Sequence, residues 1–334
     1  MAKMIKSADR YSVRNTVKLV HGGKDFFELL LHLIENAKYS IHLQTYIYQA
    51  DETGILIAKA LMKAAKRKVI VFLLVDGYAS QSIPNSLVKE LQDSGVNFRF
   101  FEPIYRSKHF YFGRRLHHKV FVSDSENALV GGVNISNRYN HIHRNVPWLD
   151  FALHLYGEEA KKLCVICRKT WYGFVKKNGR GVCEASVPIF TSHSTGSVKI
   201  RLSRNDWVRK KNEISASYID MFRNARSHIT VISSYFLPGK IIRRLLKNAA
   251  GKGVKIKIII AGKSDVSISK YAERWMYDWL LRNKIEIYEY QPTILHAKAS
   301  VCDGHWLTLG SYNLNNLSAY ASIELNVDVE NTGF

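Results

Sequence analysis

The chain has 334 residues, 46% of them hydrophobic, which is ample for a large core in one big domain or two. Lys and Arg outnumber Asp and Glu by 49 to 28, a formal charge of +21, which suggests a polyanionic partner: nucleic acid or an anionic membrane surface. The basic, polar residues 1–15 lack the apolar centre of a signal peptide, and the longest apolar run, 69–75, is far too short to span a bilayer, so any membrane contact is expected to be peripheral.

In chain order, Gly22-Gly23 ends a short leader. Residues 24–36 read as a helix, with Phe26, Leu29, Leu30, Leu33 and Ile34 on one face. Residues 40–48 alternate as a strand, Ile41, Leu43, Thr45 and Ile47 against His42, Gln44 and Tyr46. A turn at 51–54 opens a helix over 55–67; a buried strand over 69–75, a helix over 84–93 and a strand over 96–100 follow. The second half repeats this order: helix 213–224, strand 228–233, helix 239–250, strand 254–261, one long helix 268–283 and strand 285–290. Local wording recurs too, Asn36-Ala37-Lys38-Tyr39-Ser40-Ile41 against Asn224-Ala225-Arg226-Ser227-His228-Ile229. Strands alternating with helices imply mixed, mostly parallel sheets covered by helices on both faces, and a repeat this long implies a duplicated domain. The halves are expected at 17–178 and 198–330, joined by a Gly- and Ser-bearing linker at 179–197. Four cysteines, Cys164, Cys167, Cys183 and Cys302, fit a reducing compartment; Cys164 and Cys167 read as buried helix thiols rather than metal ligands.

Each half closes on one motif. His117, Lys119, Asp124 and Gly131-Gly132-Val133-Asn134 reappear as His296, Lys298, Asp303 and Gly310-Ser311-Tyr312-Asn313, each fixed position 179 residues later (296 − 117). On a strand, residues two apart share a face, so each His stands beside its Lys. Lys neutralises phosphate oxygens, and His is a nucleophile or a proton carrier near neutral pH. The glycines allow close backbone approach, and Asn134 and Asn313 offer amide donors. Asp124 and Asp303 complete the motif at a strand end, where holding structure is the expected part. Two ammonium groups do the charge work of a cation, so no metal is expected. With two His a two-step displacement is possible, one imidazole attacking phosphorus and the other moving the proton. A carboxylate behind each His should fix its tautomer. Asp150 lies 33 residues after His117 (150 − 117) and Glu324 28 after His296 (324 − 296), each before an apolar strand-like run.

The doubled motif resembles the phospholipase D superfamily. Tyr235-Phe236-Leu237-Pro238-Gly239, Lys252-Gly253-Val254-Lys255-Ile256, Ile287-Tyr288-Glu289-Tyr290 and Gly310-Ser311-Tyr312-Asn313-Leu314 are similar to bacterial cardiolipin synthases without N-terminal membrane helices, across about 17–329. The resemblance implies two tandem α/β/α repeats sharing one active site, with no cofactor. It implies His117 as nucleophile and His296 as general acid/base. Lys119, Lys298, Asn134, Asn313 and Ser311 would bind phosphate, and Asp150 and Glu324 would orient the imidazoles. Asp124 and Asp303 come with the catalytic motif. Two departures stand out: Gly132 replaces the serine of the second copy, and Asp150 is shorter than Glu324. The implied partner is an anionic phospholipid at the cytoplasmic face of a bacterial membrane. Two basic stretches bear on that partner: the aromatic-rich 105–115, which the second half lacks, and 138–148. Competing activities are a phospholipase D that uses water, a nuclease of the same superfamily, for which +21 would serve DNA, and a binding module with a dead site.

Overall fold

The structure is a computed structural model that describes residues 11–103, 114–142, 146–173 and 198–331. The first lobe runs β1 (Asn15–His21), α1 (Lys24–Asn36), β2 (Ser40–Thr45), α2 (Glu52–Lys66), β3 (Ile70–Asp76), α3 (Asn85–Asp93) and β4 (Asn97–Phe101). It continues with β5 (Arg115–Leu116), β6 (Lys119–Ser123), β7 (Asn127–Gly131), β8 (Phe151–Gly157) and α4 (Glu158–Tyr172). The second lobe runs β9 (Lys199–Asp206), β10 (Lys211–Asn212), α5 (Glu213–Asn224), β11 (His228–Ser233), α6 (Lys240–Gly251), β12 (Lys255–Ala261), α7 (Ser267–Arg274) and α8 (Tyr277–Arg282). It ends with β13 (Glu286–Tyr290), β14 (Ala299–Cys302), β15 (Trp306–Gly310), α9 (Asn316–Tyr320) and β16 (Ser322–Glu330).

Two mixed sheets result. The first is ordered β1-β8-β7-β6-β2-β3-β4 and the second β10-β9-β16-β15-β14-β11-β12-β13. Parallel pairing within them is confined to β2-β3-β4 and β11-β12-β13, so antiparallel pairs predominate where mostly parallel ones were expected. The cause is connection length. α2 and α3 provide crossovers between parallel strands, whereas the motif strands β6 and β7, like β14 and β15, are joined by tight turns that permit only antiparallel return.

Apolar periodicity explains the layering. Phe26, Phe27, Leu30, Leu33 and Ile34 of α1 pack with Ile57 and Leu61 of α2 on the outer face of the first sheet. Tyr218 and Phe222 of α5 cover the second sheet likewise. Between the sheets, Val120, Val130 and Leu153 meet Leu309, Leu325 and Val327, with Leu163 and Cys167 of α4 alongside. One helix and the opposite lobe thus cover the inner faces.

Three further expectations change. The supposed leader is strand β1, paired along its length with β8. The long helix at 268–283 is two helices, broken at Trp275-Met276, where Met276 N donates to Glu273 O at 2.8 Å. The inward sides of the two segments answer to different partners, Lys270 and Glu273 of α7 and Leu280 of α8. Cys164 is disulfide-bonded, so of the helix pair Cys167 alone is a buried free thiol. Disulfide pairing depends on spatial approach, which spacing does not encode. The 179–197 linker and most of the 105–115 stretch lie outside the described residues, as do 143–145 of the second basic loop.

Candidate active site

Each histidine is placed by the lobe it does not belong to. β5 adds to β16 in parallel, Leu116 opposite Ile323, and His117 N donates to Ile323 O at 3.1 Å. That register sets His117 beside Glu324, Nδ1 to Oε2 2.9 Å. In the other direction Leu149 bridges Leu295, and His296 N donates to Leu149 O at 2.8 Å. His296 therefore meets Asp150, Nδ1 to Oδ2 2.6 Å. The carboxylates are exchanged between lobes. Arg114 pins the crossing, its Nη2 2.7 Å from Oδ2 of Asp206.

A carboxylate acceptor at Nδ1 requires the proton there, which leaves the Nε2 lone pair of each ring for chemistry. Burial pushes the His117 imidazole below its ordinary value against the opposing pull of Glu324, and Lys119 pushes the same way as burial. Burial, then Lys298 and Lys119, hold His296 well below it. Both rings are thus neutral near pH 7, as a nucleophile must be. The rings are screened differently. Tyr46 meets His117 edge-on at 4.8 Å, whereas Tyr139 and Trp148 lie 5.1 and 6.0 Å from His296. The His117 side chain keeps 17% exposure and His296 9%.

Both motif lysines are buried and donate to the carbonyl of their own histidine. Lys298 Nζ also reaches Ser234 Oγ at 2.8 Å, and Lys119 Nζ stands 5.2 Å from the Tyr46 ring centroid. Burial, and for Lys119 the second ammonium as well, lower them to about 7 (Lys119) and about 8 (Lys298). Burial likewise raises Asp150 to about 7. Two ammoniums held near neutrality lose charge as pH climbs through 7 to 8. We expect kcat/KM, which reports the free enzyme, to fall over that window in a pH–rate profile. Stability moves the opposite way. The unfolded chain keeps these lysines protonated up to about 10.5, so it binds more protons than the folded one, and their contribution to folding improves as pH rises from 7. A kcat/KM flat from pH 7 to 9 would contradict this reading.

The Gly132/Ser311 difference has a steric cause. A Cβ on Gly132 would stand 2.3 and 2.5 Å from the two Asp150 carboxylate oxygens. The short Asp150 therefore lies where a serine side chain would be. At the second copy Ser311 Oγ donates to Glu324 Oε2 and accepts from Leu325 N at 3.2 Å. Ser311 thus holds the carboxylate, where a direct phosphate contact was expected. We expect Gly132→Ala to displace Asp150 and cut kcat about 100-fold while leaving KM within a fewfold, as loss of an orienting group does. Unchanged kcat would contradict the steric account.

The remaining motif residues divide. Asn134 Oδ1 accepts from Ile47 N at 3.0 Å and its Nδ2 donates to Tyr139 Oη at 2.9 Å, so this amide positions the ring that covers His296. Asn313 Oδ1 has no hydrogen-bond partner among the described residues. Asp124 and Asp303 are not at the reaction centre. Asp124 receives the backbone N–H groups of Lys38, Tyr39 and Ser40 at 2.7–2.9 Å, and Asp303 those of Arg226, Ser227 and His228 at 2.8–2.9 Å. They clamp the start of β2 and of β11, and both sit at positive φ, 53° and 51°. Their place in the motif is structural, as their strand-end position led us to expect, and not the catalytic one that grouping them with the motif would give. Tyr46, Ser234, Tyr139 and Asp265 were not anticipated as site residues. The repeat carried one signal: Tyr46 and Ser234 hold the same place after the recurring Ser40 and His228 (228 − 40 = 234 − 46).

Two duplicated lobes, each lending an imidazole and an ammonium to one place, define an enzyme of the phospholipase D superfamily. The family described as "Cardiolipin synthase, PLD-like domain" matches residues 30–149 and 218–334, and the chain belongs to it. It is a phosphatidyltransferase of the phospholipase D type, cardiolipin synthase-like. It is 29% identical over 326 residues to "Cardiolipin synthase B" of Escherichia coli (strain K12), covering 96% of this chain and 78% of that one. It is 30% identical over 319 residues to "Cardiolipin synthase" of Geobacillus kaustophilus, covering 94% and 63%. The fold is shared with phosphatidylserine synthase of Haemophilus influenzae, TM-score 0.74 at 16% identity, over 94% of this chain and 82% of the other.

Proposed function

We propose that the protein makes cardiolipin, transferring a phosphatidyl group from phosphatidylglycerol to a second phosphatidylglycerol through a phosphohistidine. Nε2 of His117, the more exposed ring, attacks phosphorus; the phosphorus–glycerol bond breaks, and glycerol leaves with a proton from His296. The acceptor hydroxyl then gives its proton to His296 as its oxygen attacks, and the phosphorus–nitrogen bond breaks. Lys119 and Lys298 neutralise the phosphate oxygens, so the reading needs no metal. An incoming anion also restores charge to both ammoniums and to the imidazole that must act as acid.

The observation that supports this reading is the exchanged pair of imidazole–carboxylate contacts, beside the electrostatic action of His117 on His296 and of Lys298 on Lys119. The names borne by the relatives support phospholipid as the substrate class. No helix among the described residues is long and apolar enough to cross a membrane; the disulfide at Cys164 does not fit the reducing compartment expected from the cysteine content. The test is incubation with phosphatidylglycerol vesicles and, separately, with plasmid. Cardiolipin with released glycerol is expected. Phosphatidic acid alone would make the enzyme a hydrolase, and cleaved plasmid with intact lipid a nuclease.

A further inference from the structure

Helix α7 is inside-out. Ile268, Tyr271 and Trp275, at helical spacing of three and four, are 82%, 69% and 89% exposed. Two of its three charged residues face inward, Arg274 being exposed: Lys270 Nζ donates to Ala261 O at 2.5 Å and pairs with Glu289 at 2.8 Å, and Glu273 accepts from Phe236 N at 2.5 Å. Folding that buries a lysine and a glutamate while presenting a tryptophan to water fixes the apolar stripe outward. A contiguous outward stripe of this kind marks a contact surface.

We propose that α7, α9 and the start of α6 form the surface on which the protein docks to an anionic phospholipid bilayer. One segment, 234–239, at the edge of the active site leads into α6 and touches the starts of α7 and α9. Ser234 holds Lys298; Tyr235 Oη donates to Asp265, just before α7, at 2.5 Å; and Asp265 acts electrostatically on both His296 and Lys298. Leu237 bridges Asn315 at the start of α9, where Leu317 and Tyr320 are exposed, and Gly239 opens α6, where Ile241 is exposed. The apolar side chains therefore lie around the place where phosphate chemistry occurs.

Charge selects the occupant. α6 carries Lys240, Arg243, Arg244 and Lys247 and no acidic residue, on a chain of +21. A second copy would set like charge against like, whereas an anionic headgroup layer is complementary. Trp and Tyr beside Lys and Arg are the side chains that settle at a headgroup boundary. The choice of a bilayer rests on the phospholipid reading given above.

The test compares wild type with Ile268→Ser/Trp275→Ser. Both side chains are solvent-exposed, and an unchanged melting temperature checks folding. Sedimentation with vesicles of phosphatidylglycerol and phosphatidylethanolamine should show about tenfold or greater loss of binding. Turnover of a short-chain, monomeric phosphatidylglycerol should be unchanged. In the wild type, brominated acyl chains should quench Trp275 fluorescence, read as the difference from Trp275→Phe. Vesicle binding equal to wild type overturns the proposal, as does an equal loss of turnover on the monomeric substrate. A shift in native mass without a change in vesicle binding makes the surface an interface between copies and also overturns it. If the wild type binds vesicles through these residues but turns over no phospholipid, the docking surface stands and the functional reading fails.

Discussion

His117→Ala and His296→Ala should each lower kcat by about 10⁴-fold or more, with KM nearly unchanged. Each ring does work the other cannot. One must be the atom bonded to phosphorus, and the other must deliver and then collect a proton. The two act as a unit, so the double variant should be no worse than the more damaged single one within about tenfold. Phosphatidyl transfer from labelled vesicles measures all three. Multiplicative losses would mean that the imidazoles work independently, which their shared reaction forbids.

Glu324→Gln and Asp150→Asn should cost about 10² to 10⁴ in kcat, the range seen when a carboxylate that fixes an imidazole's tautomer is neutralised. The geometry makes the pairing specific: Glu324 at 2.9 Å serves His117 and Asp150 at 2.6 Å serves His296, each across the lobe boundary. Glu324 raises the His117 imidazole toward its ordinary value, so Glu324→Gln should push that ring lower still. Histidine NMR titration reads this directly. A His296 resonance that moved while His117 stayed fixed would mean that the carboxylates serve their own lobes.

Much of the site was legible because duplication repeats chemistry in register. His117, Lys119, His296 and Lys298 follow from the 179-residue offset alone, and the expected carboxylates Asp150 and Glu324 do lie behind the rings. The pairing that the spacing suggested, Asp150 with His117 and Glu324 with His296, is reversed. The choice is made by Leu116 pairing with Ile323 and Leu149 with Leu295, contacts about 150 to 200 residues apart that no local pattern encodes. Ser311 looked like a phosphate ligand because a hydroxyl donates equally well to phosphate or carboxylate; only packing shows Glu324 against it. The strand β1 was missed because its exposed positions, among them Lys18 and Leu19, blur the alternation that marks a half-buried strand. The break between α7 and α8 was missed for another reason: the apolar period of α7 is genuine but points outward, so periodicity marks a helix without showing where its buried face changes.

The most direct test of a shared centre is the stoichiometry of the covalent intermediate. Labelled phosphatidylglycerol, rapid acid-free quenching and peptide mapping should give at most one phosphatidyl group per chain, on His117 and not on His296. His117→Ala should carry none. Two groups per chain, one on each histidine, would show two separate sites and contradict the account.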